Sequence, residues 1–384
     1  MTYDFDELID RRCSESAKWH RYGQDVLPMW VADMDFRSPE PVIQALRERV
    51  DHGVFGYGTE PPKLREVVVE RLANLYDWQV SSEDLIFVPG VVTGFNLACR
   101  AVTSPGDGVL MQTPIYPPIL DAPPNARLSR DGMELTRQPD GRYVVDFAAF
   151  GEAITERTRV FILCNPQNPV GRVFQRDELE RMAEICLCHN IVICSDEIHC
   201  DLVFQGKRHL PIASLEPEIS SQTITLMAPS KTFNIAGLHC SVAIVQDPGL
   251  RERFKTACVG VVPHVTIMGY VAALAAYRDG QPWLDHLLTY LESNLDYLVQ
   301  AVDDLPGVSM ARPEGTHLAW LDCRQSGIPG NPHRFFLQEA KVAVNDGSTF
   351  GKGGEGFVRL NFGCPRATLV EALDRIQSAL STLP

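Results

Sequence analysis

No run of eighteen uninterrupted apolar residues occurs in this chain, so its sequence offers no candidate for a membrane-spanning helix. Positive charge is in deficit: 35 Lys and Arg stand against 49 Asp and Glu, for a net charge of −14. A surface of that sign repels nucleic-acid phosphates and anionic lipid headgroups, so neither is expected as a partner. The acidic start, Met1 to Arg12, has no apolar core, and no secretory signal is expected. Paired C-x-x-C spacing is missing as well. The 11 cysteines are scattered and odd in number, and Cys186 and Cys188 form only a C-x-C. That usage argues against a disulfide framework or a zinc site, and fits reduced thiols in a cytoplasmic protein. Repeats of solenoid length, low-complexity tracts and a G-K-[ST] phosphate loop are all absent.

What is present is an ordinary globular composition, 45% apolar and 22% charged over 384 residues, long enough for a large core and two lobes. Apolar strand-like runs occur at Leu85–Val88, Gly108–Met111, Val160–Cys164, Ile191–Cys194, Thr223–Met227 and Ser241–Val245. Helix-like stretches lie between them, among them Lys63–Tyr76, Asp177–Asn190 and Arg251–Cys258. Such alternation predicts an α/β layer with a mostly parallel sheet covered on both faces. After Gly280-Gln281-Pro282 the pattern changes. Leucines 284, 287, 288, 291, 295 and 298 with Val302 predict one long helix leading into a second lobe, and a last helix is expected from Arg366 to about Leu380. The expected division is an N-terminal arm (1–44) belonging to a small domain, a large domain (45–280), and the remainder of the small domain (281–384).

Several residues carry candidate chemistry. Lys231 sits among small and apolar neighbours in Ala228–Leu238, directly after the run Thr223–Met227. A lysine at an apolar strand end loses solvation, its pKa falls, and the amine can act as nucleophile or base. Asp196 ends a second apolar run and could hold a pyridine nitrogen in its protonated form; the two together suggest pyridoxal phosphate. Gly90-Val91-Val92 opens a helix after a strand, where backbone N–H groups can receive a phosphate. Asn168 lies in a turn after Cys164, where an open α/β sheet places its ligands. Tyr116 follows another strand and could stack on a flat ring. His199 and Asp201 flank Cys200 without reproducing a metal-ligand spacing, so no metal is expected. Arg359, within the apolar run Phe357–Phe362, has the planar fork that suits a substrate carboxylate; an internal acidic partner is the alternative.

In order along the chain, Pro28–Phe36 (PMWVADMDF), Phe55–Gly58 (FGYG), Ser195–His199, Ala228–Leu238 and the segments Val344–Gly347 and Arg359–Pro365 resemble the fold-type I pyridoxal-phosphate enzymes of the aminotransferase superfamily. More narrowly they resemble its cystathionine β-lyase or cysteine C–S lyase branch. The resemblance implies a large domain with a seven-stranded, mostly parallel sheet and a smaller α+β domain. It implies that Lys231 carries the cofactor and later moves the Cα proton. Asp196 would pair with the ring nitrogen, Asn168 and His199 would serve the ring oxygen, and Tyr116 would stack. Gly90, Val91, Val92 and Ser230 would hold the phosphate. Tyr57 would reach the phosphate of a neighbouring subunit, so a homodimer is implied. Arg359, with Trp30 and Asp33, would bind the substrate. The expected reaction is β-elimination from an L-cysteine S-conjugate to thiol, pyruvate and ammonia. Aminotransfer or decarboxylative deamination is the alternative, and a non-enzymatic regulator on the same fold stands behind both. His20, Thr93 and the stretch around His264 depart from the branch pattern near a possible cofactor and substrate entrance.

Overall fold

The apolar runs of residues 85–245 become six of the seven strands of one sheet, and their mostly apolar side chains explain why both sides are covered. In the computed structural model, which describes residues 3–383, these strands are β1 (Leu85–Val88), β2 (Gly108–Thr113), β3 (Ser129–Glu134), β4 (Thr158–Cys164), β5 (Val192–Asp196), β6 (Thr223–Met227) and β7 (Ser241–Ile244). They form the expected seven-stranded sheet, in the order β1-β7-β6-β5-β4-β2-β3. Only β7 runs antiparallel to its neighbours. Every residue of β2, β5, β6 and β7 is buried, as central strands sandwiched between helices require. Parallel register sets Cys164 beside Asp196 and Asp196 beside Leu226. The turns after β4, β5 and β6 therefore emerge along one edge, and these turns carry Asn168, His199 and Lys231.

A second sheet is antiparallel throughout: β8 (Ser309–Met310), β9 (Leu318–Asp322), β10 (Asn345–Asp346) and β11 (Phe357–Asn361), in the order β8-β9-β11-β10. Arg359 pairs in register with Trp320 on one side and Asn345 on the other. Beside this sheet lies the long helix Gln281–Asp303. Its Leu284, Leu287, Leu291, Leu295, Leu298 and Val302 are buried as their spacing predicts, while Leu288 is only partly covered. Each fully buried leucine of that stripe contributes about 1.5–3 kcal/mol. The last helix spans Arg366–Leu380.

The N-terminal arm is largely irregular but tightly held. Its strand Leu27–Pro28 pairs in parallel with Val342–Ala343. Asn361 Nδ2 donates to the carbonyls of Val31 and Asp33 at 2.6 and 2.8 Å. Asn234 Nδ2 donates to those of Met34 and Phe36 at 2.9 and 2.8 Å. The arm is thus clasped from the β11 side and from the loop after Lys231 at once.

Candidate active site

Lys231 lies in the short helix Pro229–Thr232 that follows β6. Its Nζ donates to the carbonyl of Ala32 at 2.8 Å. Part of its surface stays open, yet the surrounding protein desolvates the amine and pushes its pKa down to about 8. Asp33 opposes that shift, Arg359 adds to it, and Asp196 opposes it more weakly. Asp196, at the end of β5, shows the mirror image. Burial pushes its carboxyl up to about 7, against a hydrogen bond from the Ile198 N–H at 3.1 Å. The amine sits where a general base works at neutral pH, while the raised carboxyl is a buried acid without a counter-charge.

Arg359 is 3% exposed, and among the described residues no carboxylate pairs with it. Nη1 donates to Asn168 Oδ1 at 2.8 Å, and Nη2 donates to Asn345 Oδ1 at 2.7 Å and to the Trp30 carbonyl at 3.1 Å. Nε has no partner. Burial without a counter-charge pushes this guanidinium down to about 10. The internal acid that would have given Arg359 a purely structural role is therefore missing. Its donation to Asn168 Oδ1 also fixes the orientation of that amide, so Asn168 Nδ2 faces away from Arg359.

Tyr116 precedes the helix Pro117–Asn125 after β2. Desolvation raises its pKa; Arg359 counters this and Asp196 adds to it, which puts the phenol within electrostatic reach of both. His199 is buried, its Nδ1 has no partner, and burial with His317, Lys231 and Arg359 keeps its pKa well below the usual range. Gly90 caps the helix Val91–Val102 at φ 122°, a conformation suited to glycine, and a Cβ there would meet nothing. The Val91 and Val92 N–H groups belong to the first helical turn and have no intrahelical acceptor. Ser230 is buried beside Lys231.

These features fit pyridoxal phosphate. The open first turn at Gly90–Val92 suits a phosphate, and a buried carboxyl held near neutrality suits a protonated ring nitrogen that would draw it back to its charged form. Lys231 supplies the amine. Among the described residues no group of three His, Cys, Asp or Glu side chains could hold a metal ion.

Trp30 and Asp33 are brought to the same place. The Trp30 carbonyl receives Arg359, and its ring lies under Arg21 with 5.4 Å from guanidinium carbon to ring centroid. Asp33 Oδ2 is bonded by Arg11 at 2.6 Å, while Oδ1 is buried without a partner. Tyr57 is not brought to the site: it is fully exposed and lines a surface cleft with His264, next to another lined by Val92, Thr93 and Pro263. His20 is exposed on the arm and bonds the Arg12 carbonyl.

Three residues of the site escaped the sequence. Asn345 and Asn361 hold Arg359 and the arm by side-chain amides, and asparagine alone carries no signal of such a role. His317 sits in no motif that sets it apart. It is fully buried, and its Nε2 lies 3.3 Å from the Ala32 carbonyl that Lys231 also uses.

Comparison with known proteins agrees with this geometry. Residues 24–376 match the family described as aminotransferase class I and II. The cystathionine beta-lyase PatB of Bacillus subtilis (strain 168) is 40% identical over 391 residues, covering 98% of this chain and 100% of that protein. A crystal structure of OvoB is 45% identical, with a TM-score of 0.95 over 99% of this chain and 100% of that one. Cystalysin from Treponema denticola, whose structure contains pyridoxal 5'-phosphate, is 32% identical, with a TM-score of 0.94 over 99% of both chains.

Proposed function

Because this chain belongs to the aminotransferase class I and II family, in its cystathionine β-lyase branch, it is a pyridoxal-phosphate-dependent carbon–sulfur β-lyase, and we propose that it cleaves an L-cysteine S-conjugate or cystathionine-like substrate to a thiol, pyruvate and ammonia. The observation that carries this reading is the convergence of Lys231 and Arg359 on carbonyls two residues apart, Ala32 and Trp30, with the guanidinium lacking a carboxylate.

When bound, the cofactor supplies an aldehyde for a primary amine and a ring that accepts the electron pair left at Cα. The chain does the rest. Asp196 would hold a positive charge on the cofactor's ring nitrogen. Asn168 Nδ2 and His199 would serve its ring oxygen, Tyr116 would cover the ring, and Gly90, Val91, Val92 and Ser230 would hold the phosphate. Arg359 binds the substrate α-carboxylate through a planar fork, with Trp30 and Asp33 lining the same wall. Lys231, whose pKa of about 8 leaves a useful fraction neutral at physiological pH, takes the proton from Cα. The Cβ–S bond then breaks and the thiolate leaves, and the released aminoacrylate hydrolyses to pyruvate and ammonia.

A homodimer belongs to the same proposal. Phe55 and Tyr57 are exposed beside the cleft that holds His264, and Val92, Val259 and Val261 are exposed near it. A second copy would cover this apolar surface and bring Tyr57 to its phosphate. All 11 cysteines are unpaired, which supports a cytoplasmic setting, and no helix among the described residues is long and apolar enough to cross a membrane. We read residues 1–44 with 281–384 as the small domain and 45–280 as the large one, supported by the pairing of Leu27–Pro28 with Val342–Ala343.

The test joins two measurements. Borohydride reduction of the holoenzyme followed by peptide mapping should place the adduct on Lys231. An S-alkyl cysteine should yield free thiol and pyruvate in equal amounts. Keto acid that retains the sulfur would establish aminotransfer instead. For the dimer, Tyr57→Phe should weaken cofactor retention, and an active monomer at assay concentration would refute the shared site.

A further inference from the structure

The Ala32 carbonyl receives two side chains, Lys231 Nζ at 2.8 Å and His317 Nε2 at 3.3 Å. A carbonyl oxygen has two lone pairs and cannot donate, so His317 must carry its proton on Nε2. Its Nδ1 is then a bare acceptor, and that atom is buried without a partner. The His199 ring lies 5.9 Å away, centroid to centroid, and its Nδ1 is also unpartnered. Lys231 lies in the short helix after β6 of the first sheet, whereas His317 lies immediately before β9 of the second. Nothing in the proposed reaction uses it.

We propose that His317 is a positioning residue for Lys231: by occupying one lone pair of the Ala32 carbonyl, it confines the free lysine amine to the other and so fixes where that amine rests. The inference deepens the lyase reading, because it takes Lys231 as the reacting amine.

The charges around the pair are consistent with a neutral imidazole acting by donation alone. His317 is buried and faces Lys231, Lys18 and Arg359, with His199 adjacent, so a proton on Nδ1 would join a group of cations; its pKa is pushed down to about 3. Lys231 faces Asp33 and Asp196 as acids and Arg359 as a cation. A neutral N–H aimed at the same oxygen competes with the ammonium form of Lys231 more than with the free amine, because the charged donor depends more on that acceptor.

Reaction of Lys231 with trinitrobenzenesulfonate in the cofactor-free full-length chain, followed by peptide mapping across pH, reports the protonation midpoint of this amine. In His317→Phe the midpoint should rise by about half a unit to one unit, slowing labelling below the midpoint by roughly three- to tenfold. His317→Gln, which restores a neutral donor near the Nε2 position, should bring the midpoint back. A Phe variant with the wild-type midpoint overturns the proposal, and so does a Gln variant that shifts as far as Phe. A merely structural role would lower the melting temperature and leave the midpoint in place. Should both variants fail to fold, nitrogen-15 spectra of histidine-labelled wild-type protein decide: the Nε2–H tautomer at His317 is expected, and the Nδ1–H tautomer refutes the proposal. A borohydride adduct on another lysine would defeat the lyase reading while leaving the labelling result interpretable.

Discussion

Charged side chains leave water in two parts of this molecule and meet opposite treatment. In the arm, Lys18 and Asp35 are almost wholly buried and lie 2.7 Å apart. Asp35 also accepts from Arg11 at 2.6 Å and from Trp19 Nε1 at 2.9 Å. Burial alone would raise the Asp35 pKa, but Lys18, Trp19 and Arg11 outweigh it and hold the carboxyl below its ordinary value. In the candidate site, Asp196 and Arg359 are buried just as thoroughly and neither has an oppositely charged side chain in bonding reach; Asp196 is pushed up to about 7 and Arg359 down to about 10. Charges paired within the chain serve the fold. Charges left unpaired at the cost of desolvation are open to a ligand, and their displaced pKa values mark the place.

The sharpest way to probe the unpaired region is Lys231→Ala. It removes both the attachment point and the proton carrier, so thiol release should fall by at least about 10⁴-fold. Melting of the cofactor-free chain should hardly change.

Asp35→Asn attacks the paired region. It leaves Lys18 buried without its carboxylate, and stability should drop by about 3–5 kcal/mol in denaturant titration. Activity per folded molecule should suffer far less. If stability is unaffected, the contrast between the two regions is wrong.

Arg359→Ala should cost about 2–5 kcal/mol in kcat/KM on a cysteine conjugate, the range for losing a desolvated charged partner. The variant should lose less stability than Asp35→Asn, because it orphans neutral acceptors and no buried charge. Its preference for the acid over the decarboxylated amine analogue should vanish; if the full preference persists, the carboxylate is bound elsewhere. Arg359→Lys should recover only part of the loss, since an ammonium lacks the fork.

The mildest effect per unit of the variable changed is in pH. The folded-state pKa of Asp196, about 7, lies above its ordinary 3.8. Between those values the folded chain holds a proton that the unfolded chain has lost. This group therefore makes stability fall as pH rises through that window, by no more than about 1.4 kcal/mol per unit. Lys231, lowered from 10.5 to about 8, acts above that window, where the unfolded chain holds the extra proton and stability rises with pH. Comparing cofactor-free wild type with Asp196→Asn across pH 4 to 7 isolates the first slope; parallel curves would mean that Asp196 is not displaced.

Much of this was legible in the chain because burial and periodicity leave strong marks. Six of the seven strands of the large sheet read as apolar runs, and the long helix reads from its leucine spacing. β3 did not, because Ser129–Glu134 is an edge strand with alternating exposed residues, and edges carry charge to discourage further pairing. The helix Pro117–Asn125 was hidden by Pro123 and Pro124, which argue against a helix locally. In the site, Lys231, Asp196 and Arg359 could be singled out because a charge beside an apolar run is unusual. Of the neutral members, Asn345 meets Arg359 only 14 residues away, but across neighbouring strands and by an amide that carries no mark of the role. Asn361 and His317 act through hydrogen bonds spanning 328 and 285 residues, which no local pattern reports.

That distance has a consequence for how the molecule is made. Asn361 grips the Asp33 carbonyl across 328 residues. The wall that receives Lys231 and Arg359 is synthesised well before β11, and its Asn361 clasp cannot close until that strand has left the ribosome. At roughly 5–20 residues per second the arm waits about a quarter of a minute to a minute. A nascent chain that already contains β1 to β7 and Lys231 still lacks Arg359 and the clasp that shapes the site. Catalytic competence should therefore appear late and abruptly, as one of the last events of folding, and premature termination anywhere before β11 should leave a chain with no partial activity.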